Sequence, residues 1–356
     1  MPFDLPGDYV LGLLAWLAGG AVSCALLLTL RRHWGRCAPR RLKWVNAALS
    51  LWIFLAALTV VELYFAVCYD QSDSFNMSLV SQHWFLRHVR TNNEGFRDAR
   101  PLLREMPAGM QRLYFVGDSF TFGHGIRDVA DRFSDRVGAR LEAARPGKFL
   151  VSNIGEAGIN AGQVTNFVRL LVERGYRADV VVYVICLNDI EGNSPSDSEY
   201  YERLAVRAPR FFLFRKSYFL NMLYFRIQQV RQPQVRNYYS ELAASYQSGP
   251  WSGMRRKLDE LREFCKERRI DLRVAIFPFL HNLGPDYPFD AAHERIADFC
   301  RQTGVPCLDL KPVLLPHIAE GLTVNRFDAH PNERAHALAA AAIERDLLAD
   351  LFAGQP

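Results

Sequence analysis

The chain has 356 residues, of which 49 % are hydrophobic and 23 % are charged, so it can bury a core and wholesale disorder is excluded. Its lysines and arginines exceed its acids by five, but six of them lie in the acid-free segment 31–43 and leave the rest of the chain at −1. This distribution does not support nucleic-acid binding, and no nucleic-acid partner is expected.

Two long apolar segments come first in the chain. Residues 10–30 carry no charge over 21 positions, which at about 1.5 Å per residue is enough to cross roughly 30 Å of hydrocarbon. Residues 44–69 form a second such segment with one charge, Glu62, near its end. A cleaved signal peptide is the alternative for the first segment, but acids rather than bases precede it and no small-residue cleavage pattern follows. We therefore predict a membrane anchor over residues 1–70 with two transmembrane helices.

The basic segment 31–43 predicts how these helices are oriented. Short loops rich in lysine and arginine stay in the cytoplasm, so both termini and residues 71–356 are expected outside it, at a bacterial inner membrane and facing the periplasm. The lipid bilayer is accordingly an expected partner. Glu62 is either a functional acid within the membrane or, in the favoured interpretation, an interfacial residue beside Tyr64 and Tyr69.

Four cysteines fall in the outer part of the chain: Cys186, Cys265, Cys300 and Cys307. An oxidising compartment would permit Cys300 to pair with Cys307, or Cys265 to pair with either of them. The spacing of the cysteines has no zinc pattern, so no metal site is expected.

The outer part alternates between two hydrophobic periods. Short apolar segments rich in β-branched and aromatic residues predict strands at 112–116, 149–154, 180–186 and 272–277. Helical spacing predicts helices at 132–144, 161–174, 253–269, 291–303 and 331–352. This alternation predicts an α/β fold, a doubly wound and mainly parallel sheet with helices on both faces, whose chemistry lies at the carboxyl ends of the strands.

Four loops carry residues suited to chemistry at that edge: Ser119 in GDSFTFG, Gly155 and Gly158 in SNIGEAG, Asn188 in CLNDIEGN, and Asp328 and His330 in FDAHPN. A single serine in such a position would be more typical of a helix cap. A hydroxyl, flexible backbone amides, a side-chain amide and an imidazole with a carboxylate together predict nucleophilic catalysis instead.

The segments GDSFTFG, NIGEAG, LND and DAHPN resemble, in order, the four consensus blocks of the SGNH or GDSL-type hydrolases, over roughly residues 113–351. The resemblance implies a flavodoxin-like SGNH fold without a cofactor, and it implies these site residues: Ser119 as nucleophile, His330 as general base, Asp328 as the acid that orients it, and Ser119, Gly158 and Asn188 as the oxyanion hole. The two predicted spans, the segment NNEGFRD and a long insert are also similar to membrane-anchored members associated with exopolysaccharide assembly and O-acetylation.

Two positions depart from the family pattern. One residue separates Asp328 from His330 where the usual block has two, which affects the aspartate assignment more than the histidine assignment. Cys186 stands where the third block usually has a glycine, which is expected to narrow the pocket without removing Asn188. His336 is the alternative base, disfavoured because it lies inside the last predicted helix.

Other polar residues near the motifs have structural interpretations. Asp118 and Asp189 are expected to bind the loop backbone rather than to transfer protons. His124 is interpreted as a solvated turn residue, with substrate contact as the alternative. Residues 92–98 (NNEGFRD) predict a structured turn, with Arg97 as a candidate substrate contact.

A helical insert is expected at about residues 191–251. Its segment 211–231 interleaves aromatic residues with Arg215, Lys216, Arg226 and Arg231. Three interpretations stay open: an interfacial helix with its aromatics at the lipid headgroups, a lid whose rings stack on sugars, or an extra helix packed on the domain.

These features predict an extracytoplasmic serine esterase that acts on ester groups, O-acetyl groups above all, of a cell-envelope or exported polysaccharide. The first alternative is a polysaccharide O-acetyltransferase with the same triad, for which a membrane-protein partner would supply the acyl group. The second is a non-catalytic scaffold or glycan-binding component of a polysaccharide assembly machine. The expected partners are a glycan or another acylated substrate, the bilayer and, for the transferase, that membrane protein.

Overall fold

The computed structural model describes residues 5–98, 100–192, 209–231 and 233–353. In these ranges the strands are β1 (Gln111–Gly117), β2 (Phe149–Asn153), β3 (Val180–Cys186), β4 (Asp271–Phe277), β5 (Cys307–Asp309), β6 (Thr323–Asn325) and β7 (Asp328–Pro331). The helices are α1 (Gly7–Cys37), α2 (Pro39–Leu63), α3 (Leu79–His88), α4 (Ser119–Phe122), α5 (Phe133–Ala144), α6 (Ala161–Glu173), α7 (Phe212–Lys216), α8 (Tyr218–Arg231), α9 (Pro233–Ser245), α10 (Gly249–Glu267), α11 (Asp290–Thr303), α12 (Lys311–Leu314), α13 (Glu333–Ala342) and α14 (Ala349–Ala353).

The chain divides into two compact units. Within the described residues, the helical unit comprises 5–72, 76–87 and 209–229, and the sheet unit comprises 73–75, 88–98, 100–192, 230–231 and 233–353. Residues 76–87 and 209–229 are predicted to belong to the outer domain 71–356, whereas the structure groups them with the two apolar helices. Residues 193–208 of the predicted insert lie outside the described residues.

In the helical unit, α1 covers the predicted span 10–30 and is longer than predicted, whereas α2 begins before the predicted span 44–69 and ends at Leu63. The second helix continues into a π-helical turn, Tyr64–Cys68. The mean hydropathy reaches 2.1 in α1 and 2.2 in Arg40–Cys68, and no side chain of α1 is buried. Both helices are therefore long and apolar enough to cross a membrane.

Glu62, one residue before the end of α2, binds the N-terminus of α8. Its carboxylate accepts hydrogen bonds from the backbone N–H groups of Tyr218 (2.8 Å) and Phe219 (3.0 Å) and from the hydroxyl groups of Ser217 (2.6 Å) and Tyr9 (2.8 Å). It thereby satisfies donors that the first turn of a helix leaves unpaired and complements the helix dipole. Neither interpretation of Glu62 from the sequence contained this role, because its donors come from distant parts of the chain.

In the sheet unit, five strands form a parallel sheet in the order β2-β1-β3-β4-β5. All seven residues of the central strand β3 are buried, and because neighbouring side chains point to opposite faces, both faces of the sheet are covered. Helix α5 packs on β2 and α13, and α6 packs on α10. The predicted doubly wound, mainly parallel α/β sheet is confirmed.

The four predicted strands agree with the structure within one residue at each end. Strand β5 and the antiparallel hairpin β6–β7 were not predicted, because segments of three or four residues carry too short a pattern. The predicted helix 331–352 is wrong in its continuity: α13 is followed by the π-helical turn Ile343–Leu347 and then by α14.

The insert is divided between the two units. Helices α7 and α8 belong to the helical unit up to residue 229, whereas α9 buries Tyr238 and Leu242 in the hydrophobic core of the sheet unit. Just after α9, the hydroxyl group of the buried Tyr246 donates a hydrogen bond to the carbonyl oxygen of Leu187 (2.8 Å). The second half of the insert is thus a helix packed on the domain.

All seven cysteines are free thiols, so none of the pairings that the sequence permitted is formed. Cys265 is buried apart from the other two candidates, within α10. A hydrogen bond to Cys300, together with burial, raises the pKa of the Cys307 thiol.

Candidate active site

Ser119 lies at the carboxyl edge of the sheet because of the turn that ends β1. Gly117 has φ +155°, and a Cβ atom there would lie 2.4 Å from both the Val184 carbonyl oxygen and the Thr121 Oγ1 atom, so the turn requires glycine. Asp118 then caps α4 by accepting a hydrogen bond from the backbone N–H of Phe120 (2.9 Å). Ser119 is the first residue of α4 and is 8 % exposed.

Asp328 and His330 come from β7, which explains the one-residue gap between them. Residues two apart on a strand point to the same side, so the carboxylate and the imidazole are neighbours. The His330 Nδ1 atom lies 2.5 Å from Asp328 Oδ1, and the backbone N–H of His330 donates to the same oxygen (3.1 Å). The departure from the usual spacing therefore leaves the two side chains in contact.

These three side chains form one hydrogen-bonded series. The His330 Nε2 atom lies 2.9 Å from Ser119 Oγ, on the far side of the ring from Asp328. The Asp328 carboxylate is fully buried and requires a proton on His330 Nδ1, which leaves Nε2 free to accept a hydrogen bond from the serine hydroxyl. Ser119 Oγ also lies 3.1 Å from Asp118 Oδ2, so its single proton has two acceptors within reach.

Asn188 and Gly158 follow β3 and β2 at the same edge of the sheet. Asn188 lies in the short turn Leu187–Ile190, and its Oδ1 atom is buried and makes no hydrogen bond to the described residues. Burial raises the pKa of the Asp118 carboxyl group, and hydrogen bonds from Phe120, Ser119 and Asn188 oppose that rise. Asn188 is therefore beside the residue that precedes Ser119. Gly158 is exposed in the turn after β2, with φ +78°.

Gly155 allows the motif SNIGEAG, at the end of β2, to pack closely against the motif GDSFTFG, which contains Ser119. A Cβ atom at Gly155 would lie 2.5 Å from the backbone nitrogen of Phe122, so only glycine permits this approach to α4. The backbone N–H of Gly155 donates to Asn153 Oδ1 (2.9 Å), while Asn153 Nδ2 donates to the carbonyl oxygen of Thr121 (2.7 Å). The loop after β2 is thereby tied to the helix that carries Ser119.

His124 packs directly on His330, and the interpretation as a solvated turn residue is wrong. Its side chain is 3 % exposed and its ring is stacked on the His330 ring, with centroids 4.0 Å apart and planes inclined by 9°. Its Nε2 atom lies 3.0 Å from the carbonyl oxygen of Asp73 and 3.6 Å from Asp328 Oδ2, so Nε2 carries a proton. Burial, together with the charge of His330, lowers the pKa of His124 to about 3, so the ring is neutral at neutral pH.

Arg97 holds the loop that carries His124, and it is not placed to contact a substrate. Its guanidinium group is buried and donates hydrogen bonds to the carbonyl oxygens of Gly123 (2.5 Å) and Ile126 (2.5 Å). Arg132 adds a hydrogen bond to the carbonyl oxygen of Arg97 (2.8 Å). Burial and the charge of Arg132 lower the pKa of Arg97 to about 9, so it remains a cation at neutral pH. The segment NNEGFRD is a structured turn, as predicted, and its Arg97 side chain binds this loop.

A short segment before α3 also supports the site, and sequence reasoning missed it. Ser74 Oγ accepts a hydrogen bond from the backbone N–H of Ala329 (2.9 Å), and the backbone N–H of Ser74 donates to the carbonyl oxygen of Phe327 (3.2 Å). With the contact between Asp73 and His124, this segment supports β7 on either side of Asp328. No local sequence pattern indicates such a contact across more than 250 residues.

The remaining candidates have structural partners. His336 is fully buried in α13, and its Nδ1 atom accepts a hydrogen bond from the backbone N–H of Phe133 (3.1 Å) rather than contacting Ser119. Asp189 accepts from the Tyr183 hydroxyl group (2.8 Å) and the backbone N–H of Cys186 (3.3 Å), and burial raises the pKa of this carboxyl group well above its ordinary value. Asp118 and Asp189 bind the backbone, as predicted.

One cluster in the described residues has the spacing of a metal site: ligand atoms of His124, Asp328 and His330 lie within 4.8 Å of one another. Both ring nitrogens of His330 already have partners, Asp328 and Ser119. The arrangement therefore suits proton transfer from a hydroxyl group without a metal.

A parallel α/β sheet with a serine, a histidine and an aspartate in one hydrogen-bonded series at its carboxyl edge defines the class of the protein, a serine hydrolase. The chain matches the GDSL-like Lipase/Acylhydrolase family over residues 115–338, and it belongs to this family. The matched region contains Ser119, Asn188, Asp328 and His330. A comparison with curated proteins finds no match.

Solved structures with a similar fold include three esterases or lipolytic proteins. A lipolytic G-D-S-L family protein from Veillonella parvula DSM 2008 is 13 % identical, with a TM-score of 0.42, over 67 % of this chain and 98 % of that chain. A catalytic mutant of the acetylxylan esterase Axe2 from Geobacillus stearothermophilus is 14 % identical (TM-score 0.42; 68 % and 96 % covered). A two-domain esterase active on acetylated mannans is 16 % identical (TM-score 0.39; 70 % and 52 % covered).

Proposed function

We propose that the protein is a membrane-anchored serine esterase that acts outside the cytoplasm on ester groups, O-acetyl groups above all, of a cell-envelope or exported polysaccharide. The observation that carries the chemistry is the hydrogen-bonded series from Ser119 Oγ through His330 to Asp328 Oδ1. The apolar helices α1 and α2 support the anchor, and the basic segment 31–43 supports the orientation. The sequence similarity to membrane-anchored members associated with exopolysaccharides supports the substrate class.

In the proposed reaction, Ser119 Oγ attacks the carbonyl carbon of the ester while its proton moves to His330 Nε2. Asp328 keeps the proton on His330 Nδ1 and stabilises the imidazolium that forms. The tetrahedral intermediate collapses when the C–O bond to the alcohol breaks and His330 Nε2 returns the proton to the leaving oxygen. Water then attacks the acyl carbon while its proton moves to the same nitrogen. The bond from that carbon to Ser119 Oγ breaks, His330 Nε2 returns the proton to Ser119 Oγ, and the free acid leaves.

The negative charge on the carbonyl oxygen needs donors at the same edge. We assign this role to the backbone N–H groups of Ser119 and Gly158 and to the side-chain amide of Asn188. Loss of one such donor typically costs on the order of 100-fold to 1000-fold in rate. The exposed position of Gly158 is compatible with a ligand that approaches from solvent.

The test uses the full chain, purified in detergent, with p-nitrophenyl acetate as substrate. Ser119→Ala is expected to lower the hydrolysis rate by roughly 10⁴-fold or more, because the nucleophile is lost. Ser240→Ala, at an exposed serine of α9, is the matched control and should leave the rate unchanged. After rapid acid quenching, mass spectrometry should find the acetyl group on the wild-type peptide that contains Ser119. Equal rates for the two variants would reject the assignment.

Product analysis with the same purified protein distinguishes hydrolysis from acyl transfer. Addition of an acetylated polysaccharide should release acetate and leave a deacetylated product. If an unacetylated oligosaccharide acceptor instead gains acetyl groups from p-nitrophenyl acetate while little acetate appears, the protein is an O-acetyltransferase that uses the same acyl-serine. Its natural acyl donor would then have to come from a membrane partner.

A further inference from the structure

The last chain segment of the helical unit exposes an apolar patch just before α8. Phe211, Phe212 and Leu213 are 60 %, 60 % and 48 % exposed, and the half-buried Phe214 separates them from the exposed bases Arg215 and Lys216. Three consecutive large apolar side chains in solvent are unfavourable unless a partner covers them. We call these three residues the interfacial patch.

Two polar contacts place this segment beside the N-terminus of α1 and the C-terminus of α2. Lys216 Nζ forms an ion pair with Asp8 Oδ2 (2.6 Å), in the first turn of α1. Glu62, at the last turn of α2, binds Ser217 and the first backbone N–H groups of α8. Asp8 and Glu62 both lie at the ends of the helices that are remote from the basic segment 31–43. The patch therefore lies at the level where both apolar helices end.

Aromatic contacts hold this arrangement in place within the helical unit. The rings of Tyr9 and Tyr218 meet edge to face, with centroids 5.1 Å apart, and Phe219 packs on Phe65, with centroids 5.3 Å apart. Leu79 also donates its backbone N–H to Asn221 Oδ1 (2.8 Å). The first turn of α8 is consequently held by contacts with α1, with the π-helical turn after α2 and with α3. These contacts restrict the movement of α7 away from Asp8 and Glu62.

We infer that the interfacial patch docks on the surface of an anionic phospholipid bilayer, in the leaflet on the side opposite the basic segment 31–43. This inference rests on the proposed membrane anchoring of α1 and α2. At that depth a bilayer offers acyl chains to Phe211, Phe212 and Leu213 and phosphate groups to Arg215, whose charge sign is complementary. Lys216, three residues after Leu213, is ion-paired with Asp8 in the first turn of α1, a helix on which no side chain is buried. The insert then serves as a third membrane contact.

The experiment uses the full chain in nanodiscs of equimolar phosphatidylcholine and phosphatidylglycerol that contain a trace of phospholipid with a diazirine group on its acyl chain. After illumination and proteolysis, mass spectrometry counts lipid adducts on each peptide. We expect adducts on the peptides of α1 and α2 and on the peptide with Phe211–Leu213. The reference is the peptide with Leu170, an exposed leucine (43 %) of the sheet unit.

Each result supports or overturns the inference. Adducts on Phe211–Leu213 at least about fivefold above those on the Leu170 peptide would support the inference. Arg215→Gln should lower the adducts on Phe211–Leu213 by about the same factor in these discs, since one base near an anionic surface contributes about 1 kcal/mol. In discs of pure phosphatidylcholine the same variant should leave the adducts unchanged. Adducts on α1 and α2 without adducts on Phe211–Leu213 would overturn the inference and retain the anchor. An absence of adducts on α1 and α2 would reject the anchor itself.

Discussion

The two units of the chain differ in whether the protein buries their apolar side chains. In the sheet unit, all seven residues of β3 are buried, because helices cover the sheet on both faces. In the helical unit, α1 is 31 residues long and buries none of its side chains. A run of apolar residues therefore indicates an apolar environment but does not show whether protein or lipid provides it. The protein itself provides that environment for β3, and we propose that lipid provides it for α1.

The units also use carboxylates differently. Asp328 is fully buried and directs its charge at one ring nitrogen of His330, so it acts on a group that we propose exchanges protons. Glu62 accepts four hydrogen bonds from donors that do not exchange protons in the proposed reaction, and it joins segments of chain. One carboxylate is therefore expected to control rate and the other local stability.

The largest expected effect would follow the substitution Asp328→Asn. Asparagine would donate to His330 Nδ1, so the proton would move to Nε2 and the ring could no longer accept the proton of Ser119. We expect kcat for p-nitrophenyl acetate to fall by roughly 10⁴-fold. Asp298→Asn, at an ion-paired and half-exposed aspartate of α11, is the control and should retain full activity. Activity of Asp328→Asn within tenfold of the wild type would contradict the difference between the two carboxylates.

The next effect concerns the loop that supports His330. Arg97→Met removes hydrogen bonds to the carbonyl oxygens of Gly123 and Ile126 and leaves them buried without those donors, at a cost of about 3 kcal/mol. The Tm of the sheet unit should fall by about 10 °C. Arg100→Met, whose side chain is 62 % exposed, should change Tm by no more than a few degrees. Similar Tm values for both variants would show that Arg97 does not hold the loop.

A smaller effect is expected from the buried His336. Burial, with the charges of nearby arginines, lowers the pKa of His336 to about 3 from an ordinary value of 6.5. As the pH falls below about 6.5, the unfolded chain takes up a proton that the folded chain does not, so the folded state loses stability. At about pH 5 this amounts to roughly 2 kcal/mol.

The substitution His336→Asn keeps an acceptor for the backbone N–H of Phe133 and removes the titration. Thermal unfolding from about pH 7 to about pH 5 should therefore show a loss in the wild type that exceeds the loss in His336→Asn by roughly 2 kcal/mol. His317→Asn, at a surface histidine paired with Glu320, should follow the wild type. Parallel curves for wild type and His336→Asn would mean that His336 is not kept neutral by the fold.

The smallest effect is expected in the helical unit. Glu62→Ala removes the cap of α8, which is worth about 1 kcal/mol, so hydrogen exchange of residues 218–222 should be about fivefold faster. The esterase rate should not change, since Glu62 lies in the other unit from Ser119 and His330. Glu241→Ala, at an exposed residue of α9, is the control for exchange. A large loss of esterase activity in Glu62→Ala would show that the two carboxylates are not separate in function.

The parts of the protein that follow a local pattern could be predicted from the amino-acid sequence. Strands β1 to β4 agreed with the prediction because each contains a run of apolar residues long enough to be recognised as a strand. The two apolar helices were evident from their length and their lack of charge. Motifs after parallel strands also indicated Ser119 and Asn188, since parallel strands bring such loops to one edge, and a motif before the last helix indicated Asp328 and His330.

Which distant side chains meet could not be predicted from the sequence. His124 was interpreted as a solvated turn residue, yet the loop held by Arg97 stacks it on His330. The sequence also did not indicate that Glu62 caps a helix that begins more than 150 residues later. Such contacts leave no local period or spacing in the chain, because their energy comes from burial and hydrogen bonds that exist only once both partners are in place.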